Sequence, residues 1–216
     1  MKKLLLIMLG VVSFEALGSS LHDACKGYDP LVVRKAIISG AQLNELNSAN
    51  QTPLLYVCTF NFCYKLAINY AEQLLRAGAH VNCQDSNGNT ALHIACKHLN
   101  NHLVFLLLDY GANLHIKNNN GFTALHIAVK HNLEVVEYLF GFGANIHVRD
   151  NKGRTPLHIA SEHGNASIVK FLLEHGADAY VLDNNGYTAI DICCKKNEKA
   201  VQEEKLKILY LLQNHR

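Results

Sequence analysis

A hexapeptide that returns about every 33 residues constrains this chain more than any other feature. Thr90-Ala91-Leu92-His93-Ile94-Ala95 recurs as Thr123-Ala124-Leu125-His126-Ile127-Ala128 and again as Thr155-Pro156-Leu157-His158-Ile159-Ala160. Weaker copies start at Thr52 (TPLLYV) and Thr188 (TAIDIC), and a degenerate one starts at Ser19 (SSLHDA). The six starts lie 33, 38, 33, 32 and 33 residues apart. A unit of that length is one supersecondary motif, too small to bury its own apolar face, so successive units must stack to make a core.

Each unit can be read physically. The Thr or Ser supplies an N-cap for a short helix, and Pro53 and Pro156 suit the first helical turn. Leu and Ala, two and five positions after the Thr, point inward. A second helix carries an apolar pair (Leu74/Leu75, Leu107/Leu108, Leu139/Phe140, Leu172/Leu173 or Leu211/Leu212), and five of the six units end it with Gly40, Gly78, Gly111, Gly143 or Gly176. A finger with a polar turn follows: DSNG at 85–88, NNNG at 118–121, DNKG at 150–153 and DNNG at 183–186.

The Thr-Pro-Leu-His start, the Gly-Ala finger entry and the 33-residue period together resemble the ankyrin repeat over residues 19–216, with repeats starting near 19, 52, 90, 123, 155 and 188. The resemblance implies an all-α repeat solenoid of helix-turn-helix units with short β-hairpin fingers. It also implies structural pairs Thr90/His93, Thr123/His126 and Thr155/His158, with His22 alongside, hydrogen-bonded within and between repeats. Departures mark particular units. The repeat from Thr52 has Leu55 at the His position, Asn50 at the turn Gly and five extra residues before Gly78; the repeat from Thr123 is one residue short between its helices. The last repeat has Asp191 at the His position, extra residues between its helices and no finger, as a C-terminal cap would.

Residues 1–18 have a different composition. Lys2 and Lys3 precede an apolar run from Leu4 to Val12, and Ala16-Leu17-Gly18 places small residues at the −3 and −1 positions of a signal-peptidase site. The reading is a cleaved export signal, with a periplasmic or secreted product, host-directed in one version, and no stable membrane anchor after cleavage. A buried first helix and an uncleaved anchor are the competing readings, and either would leave the protein in or at the cytoplasm. The net charge of +2, or +1 without residues 1–18, is too balanced for a general nucleic-acid binder.

Chemistry is sparse. Cys25, Cys58, Cys96 and Cys194 sit six residues after the motif start and read as small core filler; Cys63 and Cys83 are the thiols expected to be accessible. No CxxC, HExxH, GxSxG, phosphate loop or dinucleotide fingerprint is present. The expectation is a monomeric, non-enzymatic binding module with no cofactor and no metal. A regulatory intracellular scaffold is the alternative within that class, and an enzyme or metal protein the alternative outside it.

The resemblance places partner contacts at the finger tips and the exposed ends of the first helices, on the concave side. The residues before the motif Thr include Phe122, Arg154 and Tyr187. Seven positions after it lie Lys97, Lys130 and Lys195, and eight after it lie Phe60, His98, His131, His163 and Lys196. Aromatic anchors beside a Lys/His stripe suit a partner protein, an acidic one in particular, with affinity rising as the histidines gain charge at low pH. The apolar insert Phe60, Phe62, Tyr64 and Tyr70 reads as a long inter-helix turn that either packs on the solenoid edge or offers a second contact site.

Overall fold

A computed structural model describes residues 20–27, 29–59, 64–195 and 202–214. The proposed signal segment, Ser19, Phe60, Phe62, Cys63 and Lys196 lie outside them. The described residues form twelve helices: α1 (Leu21–Cys25), α2 (Pro30–Ile38), α3 (Pro53–Thr59), α4 (Tyr64–Arg76), α5 (Ala91–Lys97), α6 (Asn101–Asp109), α7 (Ala124–Ala128), α8 (Leu133–Gly141), α9 (Pro156–His163), α10 (Ala166–Glu174), α11 (Ala189–Lys195) and α12 (Gln202–Asn214). Each repeat supplies one consecutive pair. None of these helices is long and apolar enough to cross a membrane. The chain divides into two compact units, Met1–Ala112 and Asn113–Arg216.

In the first unit α1, α3 and α5 pack in series as one layer, and α2, α4 and α6 as a second. Leu21, Leu54, Leu55, Leu74, Leu92, Leu103 and Leu107 are all but sealed from solvent between the layers. A short helix is marginal alone, so this shared burial is what holds the pairs in helical form. Much of the five-residue insertion lengthens α4 to 13 residues, against nine in α2 and α6, instead of extending the turn. Tyr70 is thereby carried into the core, where its hydroxyl donates to the Gly27 carbonyl at 2.7 Å, while Tyr64 stays exposed. Asn50, at the position of the turn glycine, takes φ 59°, and Leu99 takes φ 56° between α5 and α6. Asparagine tolerates that left-handed conformation; leucine does so under strain.

In the second unit α7, α9 and α11 form one layer and α8, α10 and α12 the other. The one-residue deletion shortens α7 to five residues, after which Lys130 and His131 continue in tight i→i+3 turns. The fingers close as hydrogen-bonded turns: the Asp150 N–H donates to the Arg154 carbonyl at 2.9 Å, and the Gly153 N–H to Asp150 at 3.0 Å. The expected hairpins carry no strand ladder among the described residues. The return N–H that a ladder would use goes to a side chain instead, from Arg154 to Asp150 Oδ1 at 2.9 Å and from Tyr187 to Asp183 Oδ1 at 2.9 Å, and other finger-tip bonds run sideways. Asn151 N–H donates to Asn120 at 3.1 Å, and Asn184 N–H to Lys152 at 2.9 Å, so each tip is pinned to the next repeat. This approach is why Gly121 and Gly153 have no side chain. A Cβ at either would run into Asn151 or Asn184, and both glycines also have positive φ, 76° and 75°.

The cap repeat is less polar than its sequence suggests. Glu203 and Lys207 face solvent on α12, but so do Leu206 and Tyr210, at 63% and 68% exposure. Cys25, Cys58 and Cys96 are buried, as expected of core filler. In the last repeat Cys193 is buried, while Cys194, at the sixth position and read as core filler, is exposed.

Candidate functional site

The motif threonine and histidine work as a unit. In the repeats from Thr90, Thr123 and Thr155 the histidine occupies the third helical position, and its Nδ1 accepts the N-cap N–H at 3.2, 3.1 and 3.1 Å. Histidine here does what Glu or Gln does in a capping box. The threonine hydroxyl points at the same nitrogen, at 2.8, 3.0 and 2.8 Å, instead of serving mainly as an acceptor. With Nδ1 accepting, Nε2 carries the proton and donates across to the next repeat, from His126 to the Arg154 carbonyl (3.3 Å) and from His158 to Tyr187 (3.1 Å). In the last repeat, where Asp191 replaces the histidine, and in the first, where the cap moves to Ser20, a carboxylate closes the box; in the repeat from Thr52, with Leu55 at that position, Thr52 Oγ1 accepts from the Leu55 N–H at 3.3 Å. Asp191 accepts from Thr188 N–H at 2.8 Å, and Asp23 from Ser20 N–H at 3.2 Å. The first helix is therefore capped by Ser20, one residue later than the repeat register predicts, while His22 still reaches the Gln51 carbonyl at 2.8 Å.

Those interlocked carbonyls belong to Arg154 and Tyr187, so the same bonds that stack the repeats also place two of the expected contact residues. Phe122 lies half-buried, its ring stacked on His126 at 5.6 Å between centroids. Lys130 Nζ sits 5.1 Å from the Phe122 centroid, and the Arg154 guanidinium carbon 5.8 Å from it. Lys195 Nζ lies 3.0 Å from the centroid of Tyr187. Each aromatic thus carries a cation from the helix or finger beside it, an arrangement that fixes both partners.

Arg154 differs from the other two cations. Its Nε donates to Asp150 at 2.9 Å and its Nη1 to Glu162 at 2.9 Å, with the Arg154 side chain 16% exposed. Its charge is spent inside the site, so it positions Phe122 and Glu162 and adds no net positive charge to the face. Of the histidine row, His131 and His163 meet edge to face at 5.7 Å, with His163 Nδ1 donating to the Ile159 carbonyl at 2.9 Å. His98 and Lys97 lie in the other unit, Lys97 exposed and His98 half-buried. Burial, and then the charge of Lys97, push the His98 pKa below its ordinary value, which weakens the expected gain of charge at mildly acidic pH.

Burial pushes the thiols of Cys25, Cys58 and Cys96 up to about 12 and raises that of half-buried Cys83, so thiolate chemistry is suppressed at these positions. Among the described residues no group of three or more His, Cys, Asp or Glu is placed to hold a metal ion.

Two overlapping stretches, residues 67–150 and 130–210, match the family model described as ankyrin repeats (3 copies). The chain belongs to the ankyrin repeat family. It is 40% identical over 70 residues to an ankyrin repeat protein of Acanthamoeba polyphaga mimivirus, covering 32% of this chain and 16% of that protein. It is 33% identical over 97 residues to inversin of Gallus gallus (44% and 8%) and 43% identical over 67 residues to NF-kappa-B inhibitor alpha of Gallus gallus (31% and 19%). The matched ankyrin segments span less than a fifth of each relative. Ankyrin repeats bind proteins, and proteins of this family are typically non-enzymatic. This chain is an ankyrin repeat protein-binding module.

Sequence reading missed two things. It did not foresee that Glu162, the one acidic residue in the lysine row, neutralises Arg154. It also placed His115 and His147 at one finger position of adjacent repeats without reading the alternation of the outbound arms. There, side chains alternate strictly between exposed and less exposed along 113–117, 145–149 and 178–182. That period of two was legible in His115-Ile116-Lys117, His147-Val148-Arg149 and Tyr180-Val181-Leu182.

Proposed function

We propose that this ankyrin module captures its partner protein on the side where fingers and first helices meet, with Phe122 and Tyr187 as the anchors of the second unit. The observation that carries the reading is the pre-set pairing of each aromatic with a lysine, Lys130 over Phe122 and Lys195 over Tyr187. Rigid aromatic anchors lose little entropy on binding, and hot spots are rich in such residues. The relative named as an NF-kappa-B inhibitor, by that name a protein acting on another protein, is consistent with this mode.

The test is site-specific photo-cross-linking of the full chain in the cells that make it, with the reactive residue at position 187 or, as a control on the second-helix side, at exposed Glu137. A discrete adduct at 187 that disappears with Phe122→Ala supports the proposal. Equal adducts at both positions, or an adduct indifferent to Phe122→Ala in a protein of unchanged melting temperature, refute it. The proposal extends to location: residues 1–18 direct export, on the strength of Lys2, Lys3, the apolar run and the small residues at 16 and 18. An intact mass beginning at Ser19 outside the cytoplasm supports that part, and a chain beginning at Met1 in the cytoplasm overturns it.

A further inference from the structure

The second unit carries another surface, distinct from the aromatic anchors. Along the outbound finger arms two rows of exposed positions run across three consecutive repeats, His115, His147 and Tyr180 in one and Lys117, Arg149 and Leu182 in the other, beside a third row of Asn113, Asn145 and Asp178. Hydrogen bonds one repeat long hold the second row in register. Lys117 Nζ donates to the Arg149 carbonyl at 2.9 Å, and Arg149 Nη2 donates to the Leu182 carbonyl. Both of these acceptors are backbone carbonyls, which carry no formal charge. This is the opposite of Arg154, whose two carboxylate partners cancel its charge. Two acids of the adjoining turns have partners of their own. Asp150 binds Arg154, and Asp183 accepts from its own turn, from Asn185 N–H at 2.8 Å and Tyr187 N–H at 2.9 Å. The three arms themselves hold one carboxylate, Asp178. At the far end of the rows Tyr180 and Leu182 are 63% and 51% exposed, large apolar side chains next to the cations.

We propose that these arms form a docking stripe for an extended acidic protein segment, two carboxylates lying on Lys117 and Arg149 and an apolar side chain on Tyr180 and Leu182. Charge complementarity selects the occupant. Geometry sets its spacing. Packed helices repeat every 8–10 Å or so and an extended chain advances roughly 3.3 Å per residue, so one repeat corresponds to about three residues. The matching segment reads acid, two residues, acid, two residues, apolar, in one chain direction or the other.

Fluorescence anisotropy with three labelled peptides and the intact chain tests this. One peptide has two glutamates three residues apart and a leucine three further on, one has that order reversed, and one has the same residues with the glutamates adjacent. Binding of the first or second, about tenfold tighter than the third, is expected. Lys117→Gln with Arg149→Gln should weaken it about tenfold, and Lys117→Arg should restore the Lys117 contribution. Glutamine can still donate to the same carbonyls, and unchanged melting separates lost charge from lost fold. Lys130→Gln should leave peptide binding unaltered, which keeps this stripe separable from the aromatic anchors. Equal binding of all three peptides, no binding, or loss on Lys130→Gln alone overturns the proposal. So does a single-stranded DNA decamer that binds more tightly than the peptides and is lost with the same double substitution, since it would assign the stripe to nucleic acid.

Discussion

Acid should loosen the second unit through His126 before it affects the carboxylates. The His126 ring is fully buried, and burial pushes its pKa down to about 4. Opposing contributions from the Arg154 carbonyl and Asp150 are smaller, and the charge of Lys117 adds to the depression. Geometry gives the same answer independently: Nδ1 accepts the Thr123 N–H at 3.1 Å, and a proton on that nitrogen would abolish the bond. An unfolded histidine titrates near 6.5. Below that pH the unfolded chain takes up a proton that the folded chain refuses, so stability falls as pH drops from about 6.5 to about 4 and then levels off. At about 1.4 kcal/mol per pH unit the full effect is about 3 kcal/mol, of which about 2 kcal/mol is lost by pH 5. His158, depressed in the same direction by burial, adds to it. Asp23, Asp183 and Asp191 have lowered pKa values, so their contributions vanish only as pH falls below the ordinary carboxylate range. The assay is urea unfolding of the parent and His126→Gln at pH 7.5 and 5.0. Glutamine can still close the capping box from the third helical position, so the variant should fold. It should be about 1 kcal/mol less stable at pH 7.5 yet lose about 2 kcal/mol less than the parent on acidification. Equal losses in the two proteins would refute the reasoning.

Other substitutions test the packing. Leu157, 1% exposed, should cost about 2–5 kcal/mol of unfolding free energy as Leu157→Ala; less than about 1 kcal/mol in denaturant melts would contradict its place in the core. Ser161 Oγ is buried with no hydrogen-bond partner, so Ser161→Ala should stabilise by about 1 kcal/mol, and a loss of stability would reveal a partner for the hydroxyl. Leu99→Gly should relieve the positive φ at the turn where Gly164 sits two repeats later. A gain of up to about 1 kcal/mol is expected in thermal melts, and a comparable loss would show that the leucine side chain packs more than its 50% exposure suggests.

Repeat number, helix pairing and the inward Leu and Ala rows were legible in the chain because they depend on local rules. A 33-residue period, a cap residue before an apolar run and a glycine after it are written in consecutive residues. So were the left-handed turn at Asn50 and the role of the motif threonines as helix starts. The contact residues were legible as a pattern but not in their chemistry. Sequence marked Arg154 as a cation for a partner, yet Asp150 and Glu162 already hold it; their carboxylates come within 2.9 Å only when finger and helix fold together. Similarly, the insert after Cys58 read as a loop, and its Tyr70 became core because α4 gained length and faced the Gly27 carbonyl, 43 residues away. The histidine proton is the clearest division. The chain alone placed His126 at the third helical position, but only the stacked neighbour buries it and offers the Arg154 carbonyl to Nε2. Sequence determines what is set by the order of residues along one helix or turn; the proton position and burial of His126 are set by groups a full repeat away, and the compensation of Arg154 by carboxylates four and eight residues away that meet it only once finger and helix are folded.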